Sequence, residues 1–174
     1  TLLLTPLRVS QLSTLVKPLW LSAVVPVAPV VAESLPDLPL LPSLEPTREQ
    51  ERLWEGLRRC LEGLAQVTPT LLIVEDIHWA DEATLAALTY LGSHLRDERL
   101  LLLLTCRHIE ARRRPSVWRM LQTLDKISPL LRVHLSTFSA EETSLFVKRA
   151  LGVGQRSISF AKRLWAETGG NALL

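Results

Sequence analysis

The chain has 174 residues, 47% of them apolar and 22% charged, with a formal net charge of +2. That is enough for one globular domain with a real core, too little for two ordinary ones, and too apolar for a disordered chain. The charge balance excludes a strongly electrostatic nucleic-acid binder, and two cysteines, Cys60 and Cys106, make neither a disulfide framework nor a paired zinc-ligand set.

Both cysteines are expected to pack as small apolar side chains in a reducing compartment. Residues 1–46 hold eight of the eleven prolines, five charged residues and no glycine. Proline fixes its own φ and pushes the preceding residue out of the helical region, so short helices broken by turns are expected. Leu12, Leu15, Val16 and Leu19 fit one helical face. The uncharged run Leu19 to Ala32 is 14 residues long and contains Pro26 and Pro29, whereas a membrane span needs about 20 apolar residues. Lys17 ahead of it and Val30-Val31-Ala32 behind it loosely mimic an export signal. Sixteen residues with no starting Met precede Lys17, so a cytoplasmic chain without membrane attachment is expected. A first residue of Thr, a lone Met120 and an end inside the apolar run Asn171-Ala172-Leu173-Leu174 read as a piece of something longer.

From Thr47 the texture changes. Thr47 and Gln50 have capping-box spacing, and Leu53, Trp54, Leu57, Cys60, Leu61 and Leu64 recur at three- and four-residue intervals, which predicts an amphipathic helix over 48–66. Leu71-Leu72-Ile73-Val74 then reads as a strand buried on both faces, as in a parallel sheet. Asp81 can cap a helix over 82–95 that buries Leu85, Leu88, Leu91 and Leu95. Leu100 to Thr105 is a second buried strand, and Pro115 suits the first turn of a helix carrying Val117, Met120, Leu121 and Leu124. Leu131, Val133 and Leu135, alternating with Arg132 and His134, predict a third strand. Ser139 and Glu142 form another capping box, opening a helix to about Leu151. A last helix over 157–168 stops at Gly169-Gly170. Alternating strands and helices of this length argue for an α/β fold with a parallel sheet; no internal repeat is visible.

The sharpest chemical signal is Glu75-Asp76, two carboxylates delivered by an apolar strand to the C-terminal edge of a sheet, where open α/β folds bind ligands. In a nucleotide hydrolase, one acid at that edge holds Mg2+, directly or through water, and another orients the attacking water. On spacing alone, such a pair more often merely begins a polar turn and helps to cap the next helix. Asp81 reads as an N-cap, Trp79 as a packing anchor, and His78 as a residue that touches a phosphate or orients the turn. Their spacing matches no standard metal-ligand set. Arg112-Arg113-Arg114, with Arg107 and His108 nearby, could steer phosphates or contact nucleic acid, but a solvated helix entry is the commoner meaning of such a run. Trp20, Trp54, Trp118 and Trp165 sit among apolar neighbours and read as packing residues. An unrelated hydrolase built on Glu75, Asp76 and His78 finds no GxSxG elbow to support it.

The segment LLIVEDIHWADEATL, residues 71–85, resembles the Walker B region of STAND-type signalling ATPases, AAA-like P-loop proteins that include the ATPase modules of large LuxR-type transcriptional regulators. Three further segments follow in that family's order. LLLLLTCRHIE, residues 100–110, is similar to its sensor-1 strand with a terminal Thr-x-Arg. Residues 130–142 look like the next strand and the start of the helical lid, and Glu167 to Leu173 is similar to a TGGNP-containing lid segment. The resemblance implies an incomplete parallel P-loop NTPase sheet flanked by helices and followed by the start of a lid. It divides the chain into a Pro-rich helical segment 1–46, a core 47–135 and a partial lid 136–174.

Carried over residue by residue, the resemblance puts Glu75 on the Mg2+ side, Asp76 at the water and Arg107 at the γ-phosphate as the catalytic groups. Gly170 and Asn171 then lie on the lid side of the nucleotide. ATP and Mg2+ are the implied cofactors of a regulatory switch, and the implied partners are other domains of a longer chain, with self-association left open. Glu75 stands where P-loop proteins more often have Asp, and its extra methylene suits a contact through water. Ala172 replaces the usual Pro, which weakens a base contact there. No GxxxxGK[ST] occurs, and Gly152-x-Gly154 lacks both the lysine and a preceding strand. Family topology places the strand leading to that loop between the sensor strand and 130–135. Without it, hydrophobic sheet edges are left unpaired, the isolated chain is expected to be poorly stable, and it is not expected to hydrolyse ATP efficiently. The competing expectation is a degenerate scaffold with no nucleotide chemistry.

Overall fold

A computed structural model describes residues 6–95, 98–127, 130–152 and 158–173. Gly154 and the expected helix start at 157 lie outside the described residues. The chain falls into two units, residues 1–130 and 131–174, and among the described residues no helix is long and apolar enough to cross a membrane.

The first unit starts with three short helices, α1 (Pro6–Leu15), α2 (Pro18–Val24) and α3 (Val30–Ser34). The prolines punctuate the segment as expected, with Pro18 opening α2. Val9, Leu12, Val16, Leu21 and Val31 are buried against Cys60 and Leu64 of α4 (Pro46–Val67). Each such side chain contributes about 1.5–3 kcal/mol by leaving water. Leu15 and Leu19 stay half-exposed, because the break at Lys17-Pro18 ends the face they were expected to share. Gly56 lets α2 lie close on α4: a Cβ there would sit 3.0 Å from the Trp20 carbonyl oxygen. The helix begins at Pro46, with Glu45 as an N-cap making no side-chain bond, so the Thr47–Gln50 capping box is not formed. Proline at the first turn starts the helix ahead of it, and Glu49 instead accepts the Leu44 N–H.

Glu55 of α4 accepts hydrogen bonds from Arg58, Arg59 and the Tyr90 hydroxyl. The Arg58 bond leads in holding its carboxyl down at about 2. Tyr90 belongs to α5 (Glu82–His94), so this carboxylate ties the two helices together. The N-cap Asp81 accepts the Thr84 N–H at 2.7 Å, a bond worth about 1 kcal/mol. Leu85, Leu88, Leu91 and Leu95 are all buried, as the 3.6-residue period predicts.

Strands β1 (Thr70–Val74) and β2 (Leu100–Leu104) pair in parallel, from Thr70 opposite Leu100 to Val74 opposite Leu104. On one face, Leu72 and Leu100 pack with Leu61, Leu91 and Leu95, while Val74, Leu102 and Leu104 pack around Leu85, Val117 and Met120. Val117 and Met120 belong to α7 (Pro115–Ile127), which follows the short α6 (His108–Arg113). The other face is open, with Leu71 and Leu101 53% and 65% exposed. The expectation of strands buried on both faces is therefore corrected. Apolar runs set the parallel pairing, but among the described residues the covering helices lie on one side.

The third strand does not form. Residues 131–135 are irregular, and Leu131 and Leu135 are more than nine-tenths exposed. Alternation specifies which side chains share a face, but not a partner ladder, and among the described residues no strand forms a ladder with this segment. Cys106 is exposed rather than packed, because it follows the end of β2. Cys60 is buried as expected, and burial pushes its thiol up to about 12, which keeps it inert. The first unit is thus mostly helical around a two-stranded parallel sheet, an incomplete α/β core.

In the second unit, α8 (Ala140–Leu151) and α9 (Ile158–Thr168) pack together. The Ser139–Glu142 capping box is present, with both reciprocal bonds formed. Gly169 and Gly170 stop α9 at φ of +60° and +77°, a region that favours glycine. The chain then closes back, with the Phe138 N–H donating to the Gly170 carbonyl at 2.8 Å and the Trp165 indole donating to the Phe138 carbonyl at 2.9 Å.

Candidate functional site at the paired strand ends

Because β1 and β2 run in parallel and end in register, Glu75-Asp76 and Thr105-Cys106-Arg107 emerge side by side at one edge. Thr105 joins them. Its N–H donates to the Val74 carbonyl at 3.0 Å, and its own carbonyl accepts the Ile77 N–H at 3.0 Å. Its hydroxyl accepts the Asp76 N–H at 2.9 Å. These bonds hold Asp76 at φ 54°, ψ 43°, the one non-glycine residue with positive φ among the described residues. Aspartate tolerates that left-handed geometry better than most residues, and strain of this kind concentrates at functional positions.

After Asp76 the chain makes a 3₁₀ turn, Ile77–Trp79, with Ile77 and His78 buried. The His78 side chain is 1% exposed. Its Nδ1 accepts the Arg107 N–H at 3.2 Å, and its carbonyl accepts the Arg114 guanidinium at 2.7 Å. Its Nε2 lies 3.2 Å from Glu110 Oε2 but out of line with it, while Asp76 Oδ1 is 3.8 Å from Nδ1, too far for a hydrogen bond. Glu110 reaches the Arg107 guanidinium with its other oxygen at 3.3 Å. Arg107 is otherwise open to solvent, its side chain 73% exposed.

Glu75, Asp76 and Arg107 are thus brought to one edge, with His78, Thr105 and Glu110 between and behind them. Gly170 and Asn171 belong to the second unit. There Asn171 accepts the Leu173 N–H, and Gly170 packs on the Phe138 backbone. Trp79 is 75% exposed and anchors no core. Its ring lies at the surface beside the buried His78 ring, with centroids 5.7 Å apart. Arg112 and Arg113 are exposed in the last turn of α6, where positive charge suits the helix C-terminus. Thr105 is legible in sequence only as the Thr of Thr-x-Arg, and neither its bond to Asp76 nor the contacts of Glu110 are. The available signals were a hydroxyl closing an apolar run and an acid three residues after Arg107.

Among the described residues, no group of three or more His, Cys, Asp or Glu side chains is placed to hold a metal. Two exposed carboxylates at a sheet edge still suit the protein's share of a Mg2+ site. That ion takes hard oxygen ligands and commonly uses one or two carboxylates, with substrate phosphates and water completing its shell.

A family model described as the AAA ATPase domain matches residues 6–104, more than half of the chain. The match spans α1 to the end of β2, including Glu75, Asp76 and His78, and stops short of Arg107. No curated protein and no solved structure matches the chain.

Proposed function

The chain belongs to the AAA ATPase domain family, and on that premise we propose that it supplies the Walker B and sensor-1 strand ends of an ATP-dependent regulatory switch. AAA ATPases as a family hydrolyse nucleotide and use Mg2+. The observation that carries the reading is the joining of the two strand ends through Thr105. It supports the reading because an acid pair and an exposed guanidinium then follow neighbouring strand ends, the edge at which open α/β folds bind ligands.

In this reading Asp76 orients the attacking water, and Glu75 sits on the Mg2+ side, reaching through water. Bound Mg2+ offsets charge on the transferring phosphates. Arg107 meets the γ-phosphate, for which a permanently charged, forked donor is suited. In this reading residues 136–174 are the start of the lid, and Gly170 and Asn171 belong to it. The phosphate cradle, GxxxxGK[ST], does not occur in these 174 residues and is supplied by sequence outside them, so this stretch alone turns over little ATP. The second reading is a scaffold that has lost nucleotide chemistry and needs no such loop.

Nucleotide titrations on the product of the complete reading frame separate the two. Arg107→Ala should cut the preference for ATP over ADP by roughly tenfold to a hundredfold, the value of one charge-assisted hydrogen bond. An unchanged preference removes Arg107 from the site. Failure of the unmodified protein to bind either nucleotide supports the scaffold.

A further inference from the structure

We propose that His78 is a positioning residue that fixes Arg107 relative to Asp76, taking the Arg107 amide on Nδ1 and setting Nε2 close against Glu110, the acid that pairs with the Arg107 guanidinium. The proposal rests on the reading of Asp76 and Arg107 as water- and phosphate-facing groups, and it adds a residue that touches neither ligand.

Three contacts carry it. The ring is buried and spans from the turn after β1 to the turn after β2, with Nδ1 3.2 Å from the Arg107 nitrogen. With Nδ1 accepting the Arg107 N–H, Nε2 is left as the donor side of the ring; it lies 3.2 Å from Glu110 Oε2 without the alignment of a hydrogen bond. Glu110 Oε1 is in turn 3.3 Å from the Arg107 guanidinium. The same histidine thus reaches the main chain of Arg107 directly and its side chain through one carboxylate. Arg114 grips the His78 carbonyl from the far end of α6, so the turn and α6 are held at both ends.

A histidine is suited to this place by its shape. It presents an acceptor and a donor on a rigid ring with little rotational freedom, whereas an amide side chain reproduces one position at a time. Asparagine can put an oxygen near Nδ1, and glutamine can put an NH2 near Nε2. Glu110 pairs with the exposed Arg107 guanidinium at 3.3 Å, so a phosphate arriving at Arg107 would compete with this carboxylate.

The test uses the product of the complete reading frame with His78→Ala, His78→Asn and His78→Gln, with Asp76→Asn as reference. Three quantities are read: kcat and KM for ATP with Mg2+, hydrogen exchange at the Arg107 amide, and the melting temperature. His78→Ala should lower kcat by roughly 10- to 100-fold, the usual range for residues that orient a functional group from behind. It should also speed exchange at the Arg107 amide. His78→Asn should restore slow exchange and part of kcat, and His78→Gln should restore less. If His78→Ala does not fold, the order of Asn over Gln in both readouts decides the matter.

A lowered melting temperature with kcat and Arg107 exchange unchanged would overturn the proposal and leave His78 a core residue. If Asp76→Asn hydrolyses ATP normally, the site reading fails. The Arg107 exchange rates then still decide whether His78 holds that strand end.

Discussion

Replacing Asp76 with Asn is expected to slow ATP hydrolysis by the product of the complete reading frame roughly a hundred- to ten-thousand-fold, the usual contribution of a positioned acid or base. Nucleotide binding should persist. The substitution is clean because the fold uses only the main chain of this residue: its N–H donates to the Thr105 hydroxyl at 2.9 Å. Asparagine also tolerates the left-handed backbone that Asp76 adopts at φ 54°. Charge and basicity are lost while the turn is kept. Hydrolysis at the wild-type rate would remove Asp76 from the chemistry and reduce Glu75-Asp76 to the start of a polar turn.

The second large effect is structural. Gly170→Ala should unfold most of the second unit, whereas Gly169→Ala should leave it largely folded. Both glycines have positive φ, so either alanine costs about 1–2 kcal/mol in backbone strain. They differ in their surroundings. A Cβ at Gly169 meets open space, but one at Gly170 would run into the Phe138 backbone, well inside contact distance of its carbonyl oxygen. That overlap must break the Phe138–Gly170 bond and displace the Trp165 bond to the same carbonyl, each worth about 1 kcal/mol. Folded domains hold only about 0.05–0.15 kcal/mol per residue, so the sum rivals the whole stability of residues 131–174. Hydrogen exchange at the Phe138 amide reports it: fast in Gly170→Ala and near wild type in Gly169→Ala. Equal protection in both variants would contradict the close approach described here.

Much of this structure is legible in the sequence where local physics decides it. The leucine spacing over 85–95, the Asp81 cap and the Ser139–Glu142 box all depend on neighbours within a few residues, and the structure forms each of them. The β1 and β2 runs, with an acid pair and a Thr-x-Arg at their ends, are readable for the same reason. What fails depends on distant partners. Residues 131–135 alternate like a strand but find no ladder among the described residues. Leu71 and Ile73 look like core residues until the covering elements are counted. Thr47 resembles a cap until Pro46 starts the helix ahead of it. In the candidate site, the acids and Arg107 are visible as residue types. The bonds of Thr105 to Asp76 and His78 to Arg107 each cross 29 positions of sequence, and no spacing rule reaches that far.

The strand-end site is useful to an ATPase only if a phosphate cradle stands beside it. The most direct measurement is therefore the sequence that the complete reading frame encodes ahead of residue 1. An apolar strand running into GxxxxGK[ST] there, within several tens of codons, is the predicted result. It would make Glu75, Asp76 and Arg107 the second half of a working nucleotide site. An intact frame without that loop would contradict the account, leaving a scaffold of the AAA ATPase domain family that has lost its nucleotide.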